Sequence, residues 1–81
     1  MAEELVLSKL DADTAAVLIG IGGGYCFRSR LAALGFTPGT RVRVIQNLGR
    51  GPMIVALRDT RIALGRCEAQ RIRVRIDADK P

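Results

Sequence analysis

Two periodicities divide the chain. From Arg41 onward, apolar and polar residues alternate: Val42 and Val44 with Arg41 and Arg43, then Ile72, Val74 and Ile76 with Arg71, Arg73 and Arg75. Period-two alternation predicts half-buried strands with aliphatics inward and arginines outward. Upstream, Phe27, Leu31 and Leu34 recur at i, i+4 and i+7, which is one face of a helix. Arg28 and Arg30 flank that face, and Ser29 and Ala33 lie opposite. The spacing predicts a helix over residues 25–34. A stop follows, with Gly35 in the left-handed C′ position, apolar Phe36 folding back on the last turn, and Pro38 blocking continuation.

The remaining elements are shorter. Residues 5–10 read as an edge strand or apolar lid and residues 11–14 as a polar turn. Residues 15–21 read as the first main strand, with Val17, Ile19 and Ile21 on one face, broken by Gly20 and the run Gly22, Gly23, Gly24. Residues 46–52 form a hairpin loop or bulged corner, with Pro52 at a strand start. Residues 53–58 are a strand too evenly apolar to assign a face. Asp59 and Thr60 make a tight turn into a strand over residues 61–64. Residues 65–70 look like one turn of 3₁₀ helix, residues 71–76 are the last strand, and residues 77–81 a frayed tail. Gly49, Gly51 and Gly65 would let strands turn corners. The sum is a mainly-β fold: a small SH3-like barrel of about five strands with one α-helix inserted after the first main strand. It forms one domain over residues 1–81, with its core at about residues 5–76.

Composition agrees. An 81-residue chain has room for one core, and at this size it buries only about 60–65 % of its unfolded surface. With 48 % hydrophobic residues and a mean hydropathy of +0.17, it is expected to be globular. No apolar run approaches the roughly 20 residues of a membrane span. The start, Met1-Ala2-Glu3-Glu4, is acidic where a secretory leader would be basic, so a cytoplasmic protein is expected. Cys26 and Cys67 are too few for a disulfide framework and read as small buried hydrophobes. With no histidine, a one-chain zinc site lacks its usual four ligands. Pooled thiolates from two chains are not suggested by the spacing.

Candidate chemistry is sparse. The glycines at positions 20 and 22–24 stand where a phosphate cradle would sit, yet Tyr25 occupies the third position of a dinucleotide fingerprint. No acidic residue follows about 20 residues on, so a turn with positive-φ positions is the simpler account. The acids Glu3, Glu4, Asp11, Asp13, Asp59, Glu68, Asp77 and Asp79 fall at termini or turns, unpaired on any element, and the commonest general base is missing. Catalysis is not expected. Carboxylates and histidines are too scarce to place iron, and no cofactor is implied. The net charge of +5 suggests nucleic acid or an acidic partner, or else a solvated strand face. The aromatics Tyr25, Phe27 and Phe36 cluster in or beside the helix as expected core, which leaves no stacking platform for single strands. Protein binding remains. Leu48 sits at the tip of a glycine-flanked loop, and Arg28 and Arg30 project beside the helix, next to that loop if the barrel closes. An arginine-rimmed apolar patch from Arg28, Arg30, Leu31, Leu48 and Arg50 is the candidate docking surface for an acidic partner.

The block Arg30-Leu31-Ala32-Ala33-Leu34-Gly35-Phe36-Thr37-Pro38-Gly39-Thr40-Arg41-Val42 resembles the FeoA family, small cytosolic partners of bacterial ferrous iron transport. Gly51-Pro52, Ile62-Ala63-Leu64-Gly65-Arg66, Ala69 and Ile72-Arg73-Val74 extend the resemblance over nearly the whole chain. It implies an SH3-like barrel and a non-catalytic role. The implied partner is a ferrous iron permease with a cytoplasmic GTP-binding domain, on which the protein docks to regulate or assemble it. Nucleic acid is not an implied partner, contact with the membrane runs through the permease, and self-association stays open. The chain departs from the family pattern at Asp13, where glycine is usual, and in its glycine-rich run at Gly22 to Gly24. The alternative is a free-standing regulatory domain related to the C-terminal barrel of iron-dependent transcriptional repressors.

Overall fold

Alternating segments pair into one antiparallel sheet in the computed structural model, which describes residues 4–76. The tail expected over residues 77–81 lies outside them. Six strands contribute: β1 (Glu4–Val6), β2 (Ala15–Ile21), β3 (Arg41–Gln46), β4 (Met53–Leu57), β5 (Thr60–Leu64) and β6 (Ile72–Ile76). Their order is β1-β6-β2-β3-β4-β5. Helix α1 (Tyr25–Ala33) follows β2, the one-turn helix α2 (Arg66–Ala69) precedes β6, and a 3₁₀ turn (Leu7–Lys9) follows β1. The mainly-β class with one main helix after the first long strand agrees with expectation. The strand count is six rather than about five, because residues 5–10 split into an edge strand and a 3₁₀ turn. Among the described residues no ladder joins β5 to β1, so the sheet is open rather than a closed cylinder.

Inward positions follow the alternation in β3, β4 and β6, where Val42, Val44, Met53, Val55, Leu57, Ile72 and Val74 are buried. The face of β4, unreadable from its even apolarity, is the odd-numbered one. The expected face of β2 is reversed in its first half: Ala16 and Leu18 are buried, not Val17 and Ile19. A register shift between Leu18 and Gly20 then changes the parity. Such a bulge sets two residues against one and moves later side chains to the other face. Ile21 therefore lies opposite buried Ile72 and packs against the core, while Gly20 lies opposite outward Arg73.

Turn details also shift. The β4–β5 turn is Arg58-Asp59 rather than Asp59-Thr60, with Arg58 at φ 57° and Thr60 already paired to Leu57. The expected 3₁₀ turn near residue 66 is one α-helical turn, begun by the Gly65 amide donating to Glu68 Oε1 at 2.9 Å. Asp13 adopts φ 71°, the conformation that favours glycine and that aspartate tolerates better than most residues.

Candidate docking surface

Helix α1 is placed by its end. The Phe36 amide donates to the Leu31 carbonyl and the Gly35 amide to the Ala32 carbonyl, each at 3.0 Å. This double bond pattern is the Schellman stop, which needs a left-handed C′ residue and an apolar C″ residue. Gly35 has φ 108° and Phe36 is buried, as the sequence implied. The helix face differs from expectation. Leu31 is buried and Phe27 half-buried, but Leu34, the C-cap, is 49 % exposed. Leu31 is thus a core residue that holds the helix down, and not a contact residue of the docking surface. Tyr25, expected in the core, is 76 % exposed. It occupies the first turn, where the helix leaves the glycine run.

Two arginines bracket Phe27, with the Arg30 and Arg71 guanidinium carbons 5.8 and 5.4 Å from the ring centroid. Such contacts are worth about 0.5–1 kcal/mol at exposed sites. Arg30 also pairs with Glu68 of α2 at 2.6 Å. Arg28 is exposed on α1.

The β3–β4 loop presents Leu48 at 74 % exposure, with Arg50 exposed two residues on. The expected neighbourhood of this loop and α1 is mediated by α2. Arg30 reaches Glu68 on one side of it. On the other, the Arg66 guanidinium donates to Asn47 Oδ1 at 2.9 Å and to the Gly51 carbonyl at 3.2 Å. It also donates to the Ser8 carbonyl at 3.2 Å. Asn47 completes the clamp: its amide donates to the Ser8 and Leu10 carbonyls at 3.2 and 2.7 Å, and its Oδ1 also accepts from the Gly49 amide at 3.1 Å. Sequence reading missed Asn47 and Arg66. The only local signal was Asn47 two residues before Gly49, the spacing of an Asx turn. An open cleft of about 520 Å³ lies beside the clamp, its walls including Ser8, Lys9, Asp11, Asn47, Arg66 and Gln70.

Other chemistry is thin on this surface. Cys26 and Cys67, expected buried, are both exposed free thiols on the two helices. Among the described residues no three His, Cys, Asp or Glu side chains gather as a metal site would need. No helix among them is long and apolar enough to cross a membrane.

The family model described as the FeoA domain matches residues 5–76. The crystal structure of an iron uptake regulatory protein, FeoA, is 30 % identical with a TM-score of 0.85, covering 91 % of this chain and 99 % of that one. FeoA of Stenotrophomonas maltophilia, complexed with zinc and described as a prokaryotic SH3 domain protein, is 34 % identical with a TM-score of 0.74, covering 91 % of both chains. A manganese-dependent transcriptional repressor shares the fold at 20 % identity and a TM-score of 0.84, covering 94 % of this chain and 43 % of that one. Comparison with curated protein sequences finds no match.

Proposed function

Because the chain belongs to the FeoA family, an SH3-like accessory family of ferrous iron transport, we propose that it is a non-catalytic cytoplasmic protein docking on the GTP-binding part of a ferrous iron permease. The family match over residues 5–76 carries the reading. The Stenotrophomonas maltophilia protein has been put forward as a ferrous iron transport activating factor, and the same role is proposed for this chain. The surface supports it: Leu48 and Tyr25 are large and exposed, with Arg28 and Arg30 three and five residues after Tyr25 and Arg50 two after Leu48. Exposed aromatic and aliphatic anchors beside arginine are what protein interfaces enrich.

Capture of the permease's purified cytoplasmic domain by the tagged protein tests the reading. Leu48→Ala combined with Arg28→Glu should weaken capture by about tenfold, since truncating central anchors costs more than 1 kcal/mol. Both side chains are exposed, so the melting temperature should stay near that of the parent. No capture by the parent protein would sink the proposal, and equal capture by the double variant would exclude this surface.

A further inference from the structure

The cleft between the 3₁₀ turn, the β3–β4 loop and α2 holds a guanidinium that no carboxylate meets among the described residues. Arg66 is half-buried, and its three hydrogen bonds go to neutral acceptors: the Asn47 side-chain oxygen and the Gly51 and Ser8 carbonyls. These bonds occupy both Nη1 hydrogens and one on Nη2. The other Nη2 hydrogen and the Nε hydrogen remain, because a guanidinium has five donors in a fixed fork. Lys9 lines the same cleft and makes no ion pair among the described residues. Ser8 and Gln70 add a hydroxyl and a carboxamide, and Asp11 is the one negative group on the wall. Among the described residues two cations face one anion on the wall, which makes the cleft a concave electropositive site. Leu48, the exposed apolar residue of the loop, stands between Asn47 and Gly49, which both line it.

We infer that this cleft receives a carboxylate side chain from an extended acidic segment of the docking partner, with Leu48 packing an aliphatic neighbour of that carboxylate. The inference rests on the docking reading above and names the chemistry the partner presents there. The planar guanidinium fork matches a carboxylate, and it is already held by Asn47, so little ordering remains on binding. A free inorganic anion would leave Leu48 without a role. A nucleic acid strand would find no aromatic among the cleft residues on which to stack a base.

The test is a ¹⁵N chemical-shift titration of the whole protein with acetyl-Leu-Glu-Glu-Leu-amide and its Gln-Gln counterpart. The acidic peptide should shift the amides of Ser8, Lys9, Gly49 and Gln70, binding at least about five-fold more tightly than the neutral one. Lys9→Glu should abolish those shifts while its remaining spectrum stays native. Shifts scattered over the sheet arginines, equal shifts with both peptides, or equal shifts with sodium phosphate alone would each overturn the assignment. Capture of the permease domain separates the two readings. If Lys9→Glu captures it as well as the parent, the cleft assignment fails and docking stands. If the parent captures nothing yet the acidic peptide maps to the cleft, docking on the permease fails and the carboxylate site stands.

Discussion

Asn47 uses its side chain fully within one corner of the fold: two donated bonds to the 3₁₀ segment, and one accepted bond each from Gly49 and Arg66. Removing it leaves part-buried carbonyls and a guanidinium short of partners, which costs more than the bonds themselves contribute. Asn47→Ala should destabilise the protein by about 2–3 kcal/mol in urea denaturation. Asn47→Asp should recover only part, because it keeps the acceptor and loses both donors. Two glycines with similar backbones give a second residue-level comparison. Gly35 and Gly39 have φ of 108° and 91°, but a Cβ on Gly35 would meet Leu57 Cδ2 at 3.0 Å, while one on Gly39 meets nothing within 4 Å. Gly39→Ala should cost about 1 kcal/mol from the backbone alone, and Gly35→Ala about 2 kcal/mol. Equal losses would show that the Leu57 contact relaxes freely.

Helix α1 joins the sheet through few side chains, so its substitutions should divide sharply. Leu31→Ala, in the core, should cost about 2–4 kcal/mol, whereas Leu34→Ala, at the exposed C-cap, should stay within about 0.5 kcal/mol. Thermal unfolding of the two variants checks the helix face directly. The stop at Gly35 and Phe36 was legible in the sequence because a Schellman end is local and its residue requirements are strict. The face the helix buries was not, since three apolar residues at helical spacing do not say which of them meets the sheet. In β2 the alternation pointed to the wrong face because the bulge before Gly20 changes parity without a sequence signal stronger than the glycine itself. The candidate site was legible only in part. Exposed Leu48, Arg28 and Arg50 could be picked out, but the Arg66 clamp joins residues as far as 58 positions apart, and no local pattern encodes that. The cysteines were misplaced for a related reason: their usual burial is a property of cores, and both sit on outward turns of helices.

At the scale of the whole molecule, four of the thirteen basic residues gather on one region of the sheet. Arg41 and Arg75 both lie opposite Val17 in register, and Arg43 and Arg73 stand two residues away on the same outward faces. Among the described residues the ion-pair partners of Arg43 and Arg73 are distant and exposed, with Asp13 at 4.0 Å and Glu4 at 3.7 Å. Raising salt from about 10 to 100 mM shortens the screening length from about 30 to 10 Å. The melting temperature should therefore rise with salt, while capture of an acidic partner should weaken over the same range. A fall in melting temperature would show that attractive pairs dominate this net +5 chain. The strand order has a further effect, on synthesis and truncation. β6, the most C-terminal strand described, lies between β1 and β2, so the earliest-made strand has no neighbour until the ribosome has released residue 76. Assembly of that half of the sheet must wait for residues 72–76. Chains cut before Ile72 should remain uncollapsed and protease-sensitive, whatever the quality of the hairpins already formed.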